Sequence, residues 1–355
     1  MAYRRDVWRI DRAGSLDRLT RRTEDLPAPD PGQARIIVKA IGLNFADLFA
    51  CLGLYSATPK ASFIPGLEIA GVVDALGPPA SGSEPVLGPQ VGERVVGLTR
   101  FGGYATALNL GLEYLRPIRA GWTFEDAAAY PVQALTAWYG LVELGALEPG
   151  DLVLVQSAAG GVGLNALAIL QASRARAIAV VGSEKKRQWL AERRGLDPEQ
   201  VIVRNRRCFA ADLDRALSRS GATGFDLVFD AVGGPYLLPA YARLRPEGRL
   251  VTYGAADFMT HGARPNYVRL IAQYLRRPRI DPLRMTNTNR SVMGFNLIWL
   301  WDKAERLGRA YDELDRLIAA PPLVGHTFPF DEAPAAMRYL QSGQSIGKVV
   351  LDVHV

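Results

Sequence analysis

The sequence predicts an α/β protein with two domains, one rich in β-strands and one built on a doubly wound parallel sheet. The chain has 355 residues, more than one small core accommodates. Residues 1–127 contain short strand patterns separated by turns, and residues 321–355 have a strand–helix–strand pattern. Between them, residues 128–320 alternate apolar strands with helical segments, as expected for a parallel sheet with crossover helices.

Individual elements follow from local patterns. In the strand-rich part, alternating or β-branched runs predict strands at 34–40, 69–75 and 94–98, with an exposed loop at 77–92. In the central part, apolar runs predict strands at 152–155, 177–181, 201–203, 226–230, 249–253 and 291–297. Helical patterns are predicted at about 161–172, 185–194, 211–219 and 302–319.

Composition excludes several classes of protein. No apolar run approaches the roughly 18 residues that span a bilayer, and residues 1–6 lack the apolar stretch of a secretory signal, so we expect a cytoplasmic protein. Two cysteines rule out a disulfide framework. The formal charge is +6, but the arginines are scattered without an aromatic-interleaved stripe, so we expect solvated faces and no nucleic-acid partner.

A glycine-rich turn lies between the first central strand and its helix. Residues 157–163 end in Ala159-Gly160-Gly161-Val162-Gly163. Gly160 lets backbone approach a pyrophosphate, Gly163 lets the helix pack on the strand, and the free N–H groups of the helix attract phosphate. Ala158 replaces the first glycine of the usual pattern. This context predicts a dinucleotide site, and a ligand-free tight turn is the alternative.

The residues after the second central strand favour NADPH over NADH. NAD-binding chains usually place a carboxylate at this strand end to hold the ribose hydroxyls. Here Gly182 and Ser183 stand there, followed by three cations that include Lys186, and these suit a 2′-phosphate. Glu184 departs from the pattern but is able to open the helix and point away. A solvated basic helical turn is the alternative.

The chain resembles the zinc-independent medium-chain dehydrogenases/reductases, in the quinone oxidoreductase group that includes zeta-crystallin. The resemblance covers nearly the whole chain and rests on 42–47, 65–71, 133–137, the glycine turn and 229–234. The segments 250–254, 292–297 and 346–349 resemble the vesicle amine transport protein branch. The family resemblance implies a GroES-like catalytic domain (1–127 and 321–355), a Rossmann NADPH-binding domain (128–320) and a homodimer joined through the strand near 291–297.

Zinc ligands of the related alcohol dehydrogenases are missing. In the zinc alcohol dehydrogenases, the resemblance implies, a cysteine near the position of Asn44 and a histidine at the position of Leu67 bind the metal. This chain has neither residue at those positions. Cys51 lies too late in the chain, and the three histidines lie far from this segment. Because a catalytic zinc needs three protein ligands, we expect no metal and a reaction on an electron-poor double bond instead of an alcohol.

Two residues are predicted to act in catalysis. Tyr55 matches the tyrosine of related quinone and enoyl reductases, which the resemblance implies donates a hydrogen bond or a proton. The alternative is an aromatic lid that only packs on the substrate. Asn44 is implied to lie beside the nicotinamide ribose and the substrate, and an amide that stabilises a turn is its alternative.

The resemblance implies further cofactor contacts. Thr136 would touch the nicotinamide side, Lys348 would reach the cofactor from the tail, and Arg204 would stack near adenine. Tyr253 and Gly254 would border the cofactor at the carboxyl edge of the sheet, and Phe295 would line the nicotinamide pocket. Plain core packing is the alternative for Tyr253 and Phe295.

The segment 264–290 is basic and has apolar residues at helical spacing. Packing against the cofactor domain is favoured over membrane-surface binding as the role of this amphipathic face.

The leading function is transfer of hydride from NADPH to a small electron acceptor, a quinone or an α,β-unsaturated carbonyl. The alternatives are an enoyl-thioester reductase and a non-catalytic NADPH-binding protein associated with lipid or membrane.

Overall fold

The structure, a computed structural model, describes residues 3–78 and 88–354. Its strands are β1 Tyr3–Ile10, β2 Leu19–Leu26, β3 Gln33–Gly42, β4 Glu68–Leu76, β5 Arg94–Leu98, β6 Ala107–Gly111, β7 Leu115–Pro117, β8 Leu152–Gln156, β9 Arg176–Val181, β10 Val201–Val203, β11 Phe225–Asp230, β12 Leu244–Thr252, β13 Ser291–Gly294, β14 Val324–Pro329 and β15 Lys348–Asp352.

The helices lie mainly in the central and C-terminal parts of the chain. They are α1 Phe45–Cys51, α2 Phe124–Ala128, α3 Pro131–Trp138, α4 Gly161–Ala172, α5 Glu184–Arg194, α6 Phe209–Arg219, α7 Leu237–Tyr241, α8 Tyr267–Leu275, α9 Pro282–Thr288, α10 Ala304–Leu317 and α11 Ala333–Gln341. Helix α3 continues as a π-helical segment, Tyr139–Leu144. Because α3 and α10 pack on the first sheet helix, α4, they close one face of that sheet.

The central part of the chain forms a six-stranded parallel sheet with the order β10-β9-β8-β11-β12-β13. The strand order reverses between β8 and β11, which is where doubly wound sheets bind their ligands. Both faces are covered, because Val153 and Val155 pack into one hydrophobic cluster while Leu152 and Leu154 pack into another. The predicted Rossmann fold class is therefore confirmed.

A second, seven-stranded sheet combines both ends of the chain. Its order is β14-β15-β3-β4-β5-β7, with β6 pairing β3. The tail strand β15 runs antiparallel to β3, so the last described residues complete a sheet begun by residues 33–42. Strands β1 and β2 form a separate antiparallel hairpin. This strand-rich unit is the predicted GroES-like domain, while its boundaries at 127 and 321 stay a prediction.

Some element bounds differ from the sequence prediction. The strand predicted at 291–297 ends at Gly294, because Asn296 begins a short 3-10 turn whose Trp299 N–H donates to the Asn296 carbonyl at 3.1 Å. Most of the predicted loop at 77–92, residues 79–87, lies outside the described residues. In the two described ranges, no helix is long and apolar enough to cross a membrane.

Candidate active site

The glycine turn joins β8 to α4 and is shaped by close packing. Ser157 has a left-handed φ of 55°, so the strained backbone position of this turn is Ser157. Ala158, which replaces the first glycine of the usual pattern, is the next residue. Gly163 is needed for space, since a Cβ there would lie 2.5 Å from the Ala158 Cα. A Cβ on Gly161 would lie 1.7 Å from Oε1 of Gln133. Helix α4 therefore begins directly at the sheet edge, with its first N–H groups free of intrahelical acceptors.

The C-terminal tail contacts this turn. The Gly347 N–H donates to the Ala159 carbonyl at 2.9 Å, and Gly347 forms a bridge with Gly160. The left-handed φ of 72° at Gly347 and the Leu323 carbonyl 2.5 Å from its Cβ position both require glycine. The strand-rich unit is thereby tied to the glycine turn.

A basic group of side chains lies at the ends of β9 and β10. Lys186 donates from Nζ to the Gly343 carbonyl at 2.7 Å, and burial, followed by the charge of Arg204, lowers the pKa of Lys186 to about 8. Arg204 lies 5.2 Å over the ring of Tyr236, and its buried Nη1 has no partner among the described residues. A buried, unpartnered guanidinium nitrogen beside a second cation fits an anionic group such as a phosphate.

Two neighbours complete this basic site. Arg204 Nη2 lies 3.6 Å from the Cβ position of Gly182, so the strand end and the guanidinium are adjacent. Ser183 precedes the first turn of α5, and its side chain caps no helix N–H. Glu184 turns away to form a 2.7 Å salt bridge with Arg187, one helical turn along α5. Glu184 is the one carboxylate among residues 182–187, which follow β9, and its side chain pairs with Arg187 and not with Arg204.

A cavity of about 630 Å³ opens beside the glycine turn. Gly160 and Gly163 line one part of it, and Tyr55, Phe49 and Trp301 line another. Of the residues predicted to contact cofactor or substrate, the lining includes Asn44, Tyr55, Thr136, Gly160, Gly161, Val162, Gly163, Tyr253, Gly254 and Phe295. Gly182, Ser183, Lys186, Arg204, Ala159 and Lys348 lie outside the lining. The cavity is therefore next to, and distinct from, the basic group of side chains.

Tyr55 donates its hydroxyl to Oδ1 of Asn296 at 2.8 Å inside the cavity. The Tyr55 carbonyl accepts bonds from both the N–H and the hydroxyl of Thr58, at 3.0 and 2.7 Å, so the residue is held at the start of a turn. Burial raises the pKa of Tyr55 to about 12, so its hydroxyl is protonated at neutral pH. Asn296 was not predicted as a site residue, although it follows Phe295 in a motif that carries the family resemblance.

Asn44 is held by a buried polar network below the cavity. Its Oδ1 accepts from Nζ of Lys348 at 2.8 Å, and its Nδ2 donates to Oε1 of Glu68 at 2.8 Å. Lys348 and Glu68 also form a direct ion pair, and both are at most 1% exposed. The backbone N–H of Asn44 donates to Asp47 at 2.9 Å, and burial raises the pKa of Asp47 to about 7.

The network changes the expected placement of Lys348. The tail lysine lies behind Asn44, and the second carboxylate oxygen of Glu68 accepts the Val132 N–H at 2.8 Å. Burial lowers the pKa of Lys348, while the Glu68 carboxylate opposes that shift. Lys348 therefore contacts Asn44 and Glu68 and does not line the cavity. Any effect of Lys348 on a ligand in the cavity would pass through Asn44.

The aromatic and hydroxyl side chains predicted near the nicotinamide both pack and line the cavity. Tyr253 stacks on Phe229 with ring centroids 4.3 Å apart, and Phe295 meets Tyr139 edge-on at 4.9 Å. Thr136 donates to the Val132 carbonyl at 2.6 Å, one turn back along α3. Gly254 is required because a Cβ would lie 2.7 Å from the Ala231 carbonyl. Core packing and exposure to the cavity are thus compatible at these positions.

Gln133 is a second polar residue that the sequence prediction did not assign. Its Oε1 is buried, lies against Gly161 and has no hydrogen-bond partner among the described residues. A buried amide oxygen without a hydrogen bond costs free energy, and a ligand in the cavity that donates a hydrogen bond to this atom would remove that cost. Gln133 was visible in the sequence only as part of the 133–137 motif.

Comparison with known proteins identifies the family. Residues 30–124 match the alcohol dehydrogenase GroES-like domain, and residues 196–351 match a family described as zinc-binding dehydrogenase. The synaptic vesicle membrane protein VAT-1 homolog of Rattus norvegicus is 33% identical over 92% of this chain and 78% of its own length. The chain belongs to the medium-chain dehydrogenase/reductase superfamily. Within the superfamily it falls in the VAT-1-like branch, as the sequence predicted.

Solved structures of the superfamily share the whole fold. The quinone oxidoreductase of Thermus thermophilus, also solved with NADPH, is 31% identical with a TM-score of 0.73 over 98% of this chain and 99% of that one. CurK enoyl reductase is 26% identical with a TM-score of 0.80 over 99% of both chains. The chain is therefore an oxidoreductase of the medium-chain superfamily.

The residues at the superfamily's zinc position do not fit that metal. Leu67 lines the cavity there with hydrocarbon, and Cys51 is buried in the core of the strand-rich unit. Among residues 3–78 and 88–354, no group of three His, Cys, Asp or Glu side chains is placed to hold a metal ion. The ammonium of Lys348 also lies against Glu68, where it would repel a second cation.

Proposed function

We propose that this protein transfers hydride from NADPH to a quinone or an α,β-unsaturated carbonyl compound. The observation that carries the proposal is the cavity of about 630 Å³ lined by both the glycine turn and the Tyr55–Asn296 pair. Its walls include the apolar side chains of Phe49, Leu98 and Trp301. An apolar electron acceptor suits such walls, and the pair supplies hydrogen-bond donors for its oxygen.

The choice of NADPH rests on the basic group of side chains. Lys186, Arg204 and Ser183 would hold the 2′-phosphate, and the unpartnered Nη1 of Arg204 is the atom that most needs such a ligand. The glycine turn would hold the pyrophosphate at the start of α4. Thr136, Tyr253 and the other predicted contacts that line the cavity would surround the nicotinamide.

The chain's own groups stabilise charge on the acceptor. When bound, NADPH supplies the hydride, which leaves negative charge on the acceptor oxygen. In the chain without ligand the Tyr55 hydroxyl donates to Asn296; it would redirect this hydrogen bond to the acceptor oxygen, and its raised pKa keeps the proton on the hydroxyl until the charge develops. Oδ1 of Asn296 holds the Tyr55 hydroxyl inside the cavity until an acceptor binds, and Nδ2 of the same amide would donate to the acceptor oxygen.

The Asn44 network keeps one wall of the site rigid. Lys348 and Glu68 engage both polar ends of the Asn44 amide, so its orientation is fixed before any ligand binds. A preorganised wall saves the ordering cost that a mobile side chain would add on binding. Asn44 then positions the nicotinamide ribose, and Lys348 acts through it.

The proposal is tested by loss of NADPH absorbance with three classes of acceptor: 1,4-quinones, enones and enoyl-thioesters. We expect turnover with quinones or enones and a lower KM for the more apolar members of each class. Faster turnover of enoyl-thioesters would instead favour the activity named for CurK enoyl reductase. Tight NADPH binding without turnover of any acceptor would overturn the proposal and favour a non-catalytic binding protein.

We also propose that two copies pair through β13. This short strand is the last in the order of the parallel sheet, so one of its edges is unpaired in the described chain. Pairing two such edges about a twofold axis would continue the sheet across a dimer. Light scattering on the purified chain should give the mass of two copies, and a proline at Val292 should yield monomers. A monomeric wild-type chain would contradict this arrangement.

A further inference from the structure

The side chain of Gln133 carries a buried oxygen that the described part of the chain leaves unsatisfied. Gln133 is 8% exposed and lines the cavity from the first turn of α3. Its Oε1 lies against Gly161 and has no hydrogen-bond partner among residues 3–78 and 88–354. A methyl group on Gly161 would overlap this amide, so the glycine leaves the space that the amide fills. The chain thus makes room for a polar group that it does not itself pair.

Two polar side chains predicted to contact the cofactor are bonded within the protein, in contrast to Gln133. Asn44 donates from Nδ2 to Oε1 of Glu68 at 2.8 Å. The hydroxyl of Thr136 donates to the Val132 carbonyl at 2.6 Å. Because an unpaired buried acceptor is costly to the folded chain, its presence in the wall of a cavity points to a ligand that supplies the missing donor.

The position of Gln133 selects the part of NADPH that it would meet. Gly161 begins α4, where the pyrophosphate is proposed to lie, and Thr136, one turn along α3 from Gln133, is proposed to lie beside the nicotinamide. The unit of NADPH between the pyrophosphate and the nicotinamide is a ribose. Phosphate oxygens accept hydrogen bonds and would be repelled by Oε1, whereas the two hydroxyls of this ribose can donate to it.

We propose that Oε1 of Gln133 accepts a hydrogen bond from a hydroxyl of the nicotinamide ribose and so positions the nicotinamide half of the cofactor. The terminal torsion of a glutamine side chain has a broad range, so the amide can turn its oxygen from Gly161 to the hydroxyl. The new bond satisfies an acceptor that is unpaired in the chain without ligand, and it therefore contributes to cofactor affinity. This inference rests on the proposed binding of NADPH at the glycine turn.

Gln133→Met tests this contact, because it keeps the length of the side chain and removes the amide. Thermal unfolding without cofactor should move to a higher midpoint, since an unsatisfied acceptor is lost. Calorimetric titration should show NADPH binding weakened about tenfold. A lower midpoint together with full NADPH affinity would show that the amide supports the fold alone, and would overturn the proposal.

Gln156→Met is the matched control. Gln156 ends β8, is fully buried and has no partner for either amide atom among the described residues, but it does not line the cavity. Its replacement should also raise the midpoint of unfolding and should leave NADPH affinity unchanged. An equal loss of affinity in both variants would assign the effect on Gln133 to a general change around the glycine turn, against the proposed contact.

Two fragments of the cofactor locate the contact. The first, 2′-phospho-ADP-ribose, keeps the ribose and lacks the nicotinamide, whereas 2′-phospho-ADP keeps both pyrophosphate phosphorus atoms and lacks the ribose as well. Gln133→Met should weaken binding of 2′-phospho-ADP-ribose about tenfold, as for NADPH, and should leave binding of 2′-phospho-ADP unchanged. An equal loss with 2′-phospho-ADP would assign the contact to phosphate, and a loss with NADPH alone would assign it to the nicotinamide. Either result would overturn the ribose contact.

The unmodified chain separates this inference from the function on which it rests. Absence of NADPH binding to the unmodified chain would overturn the proposed function and the ribose contact together. Equally tight NADPH binding to the unmodified chain and to Gln133→Met would overturn the ribose contact and leave the proposed function in place.

Discussion

Tyr55 and Asn296 are 241 positions apart in the chain, yet their side chains share one hydrogen bond in the cavity. A neutral donor beside a developing oxyanion is worth about a hundredfold or more in turnover. We therefore expect Tyr55→Phe, which keeps the ring and removes the donor, to lower kcat by about a hundredfold. Steady-state kinetics with NADPH and the best acceptor measures this, and NADPH affinity should not change.

The outcome distinguishes donation from packing. If Tyr55→Phe turns over like the unmodified enzyme, the ring only packs on the substrate. Tyr3→Phe in β1, remote from the cavity, is the matched control and should have no effect. Asn296→Ala should lower kcat less, and the double variant should lose less than the two single effects combined, because the pair acts as one unit.

If the basic site holds the 2′-phosphate of NADPH, Lys186 should raise the affinity for NADPH and leave that for NADH unchanged. Removing one charged hydrogen bond costs roughly 2 kcal/mol, so Lys186→Ala should weaken NADPH binding about thirtyfold. Binding of NADH, which lacks that phosphate, should hardly change. Calorimetric titration of both cofactors measures the difference, with Lys185→Ala on the exposed neighbour as the control. A preference of the unmodified chain for NADH would contradict the assignment.

The pKa of Lys186 gives this binding a pH dependence. Its pKa is lowered to about 8 in the chain without ligand, so the ammonium is charged below pH 8 and neutral above it. NADPH affinity should therefore fall as the pH rises through this value, since the cation that attracts the phosphate is lost. Lys186→Ala should remove that fall. An unchanged pH profile in the variant would assign the dependence to another group.

At the scale of elements, two glycines of the β8–α4 turn have different tasks. A Cβ on Gly160 would meet only the Ser157 carbonyl, at 3.3 Å, among the described atoms, whereas a Cβ on Gly163 would strike the Ala158 backbone at 2.5 Å. Gly160→Ala should thus keep the free energy of unfolding within about 1 kcal/mol and still weaken NADPH binding. Gly163→Ala should cost roughly 1–3 kcal/mol of stability.

Urea unfolding and cofactor titration, made on both variants, separate the two effects. Each variant serves as the control of the other, because both add one methyl group within four residues. Full NADPH affinity in Gly160→Ala would show that this backbone does not approach the cofactor. Unchanged stability in Gly163→Ala would mean that α4 can shift away from β8 without cost.

The buried pair of Lys348 and Glu68 joins β15 to β4 directly beside α1. Removing one member leaves an uncompensated buried charge, which costs about 3–5 kcal/mol. Lys348→Met should therefore destabilise the chain by that amount in urea unfolding. Adding Glu68→Gln should restore most of the loss, because the charge is gone and the amide oxygen can still accept the Val132 N–H. A double variant as unstable as Lys348→Met would contradict this origin.

Local patterns predicted the elements far better than the contacts between them. The order of strands and helices around the glycine turn follows from apolar periodicity, which each stretch of chain displays by itself. The Tyr55–Asn296 bond and the Lys348–Glu68 pair join positions hundreds of residues apart, and no local pattern records which side chains will meet. The family resemblance named Tyr55, Asn44 and Lys348 as site residues but left their partners open.

At the scale of the whole molecule, the tail links the two sheets. Strand β15 pairs with β3 in the strand-rich unit, while Gly347 just before it bonds to the glycine turn of the parallel sheet. The cavity lies where these parts meet, so its walls come from both ends and the middle of the chain. Composition gave no sign of this closure, since it depends on a left-handed glycine and one backbone bond.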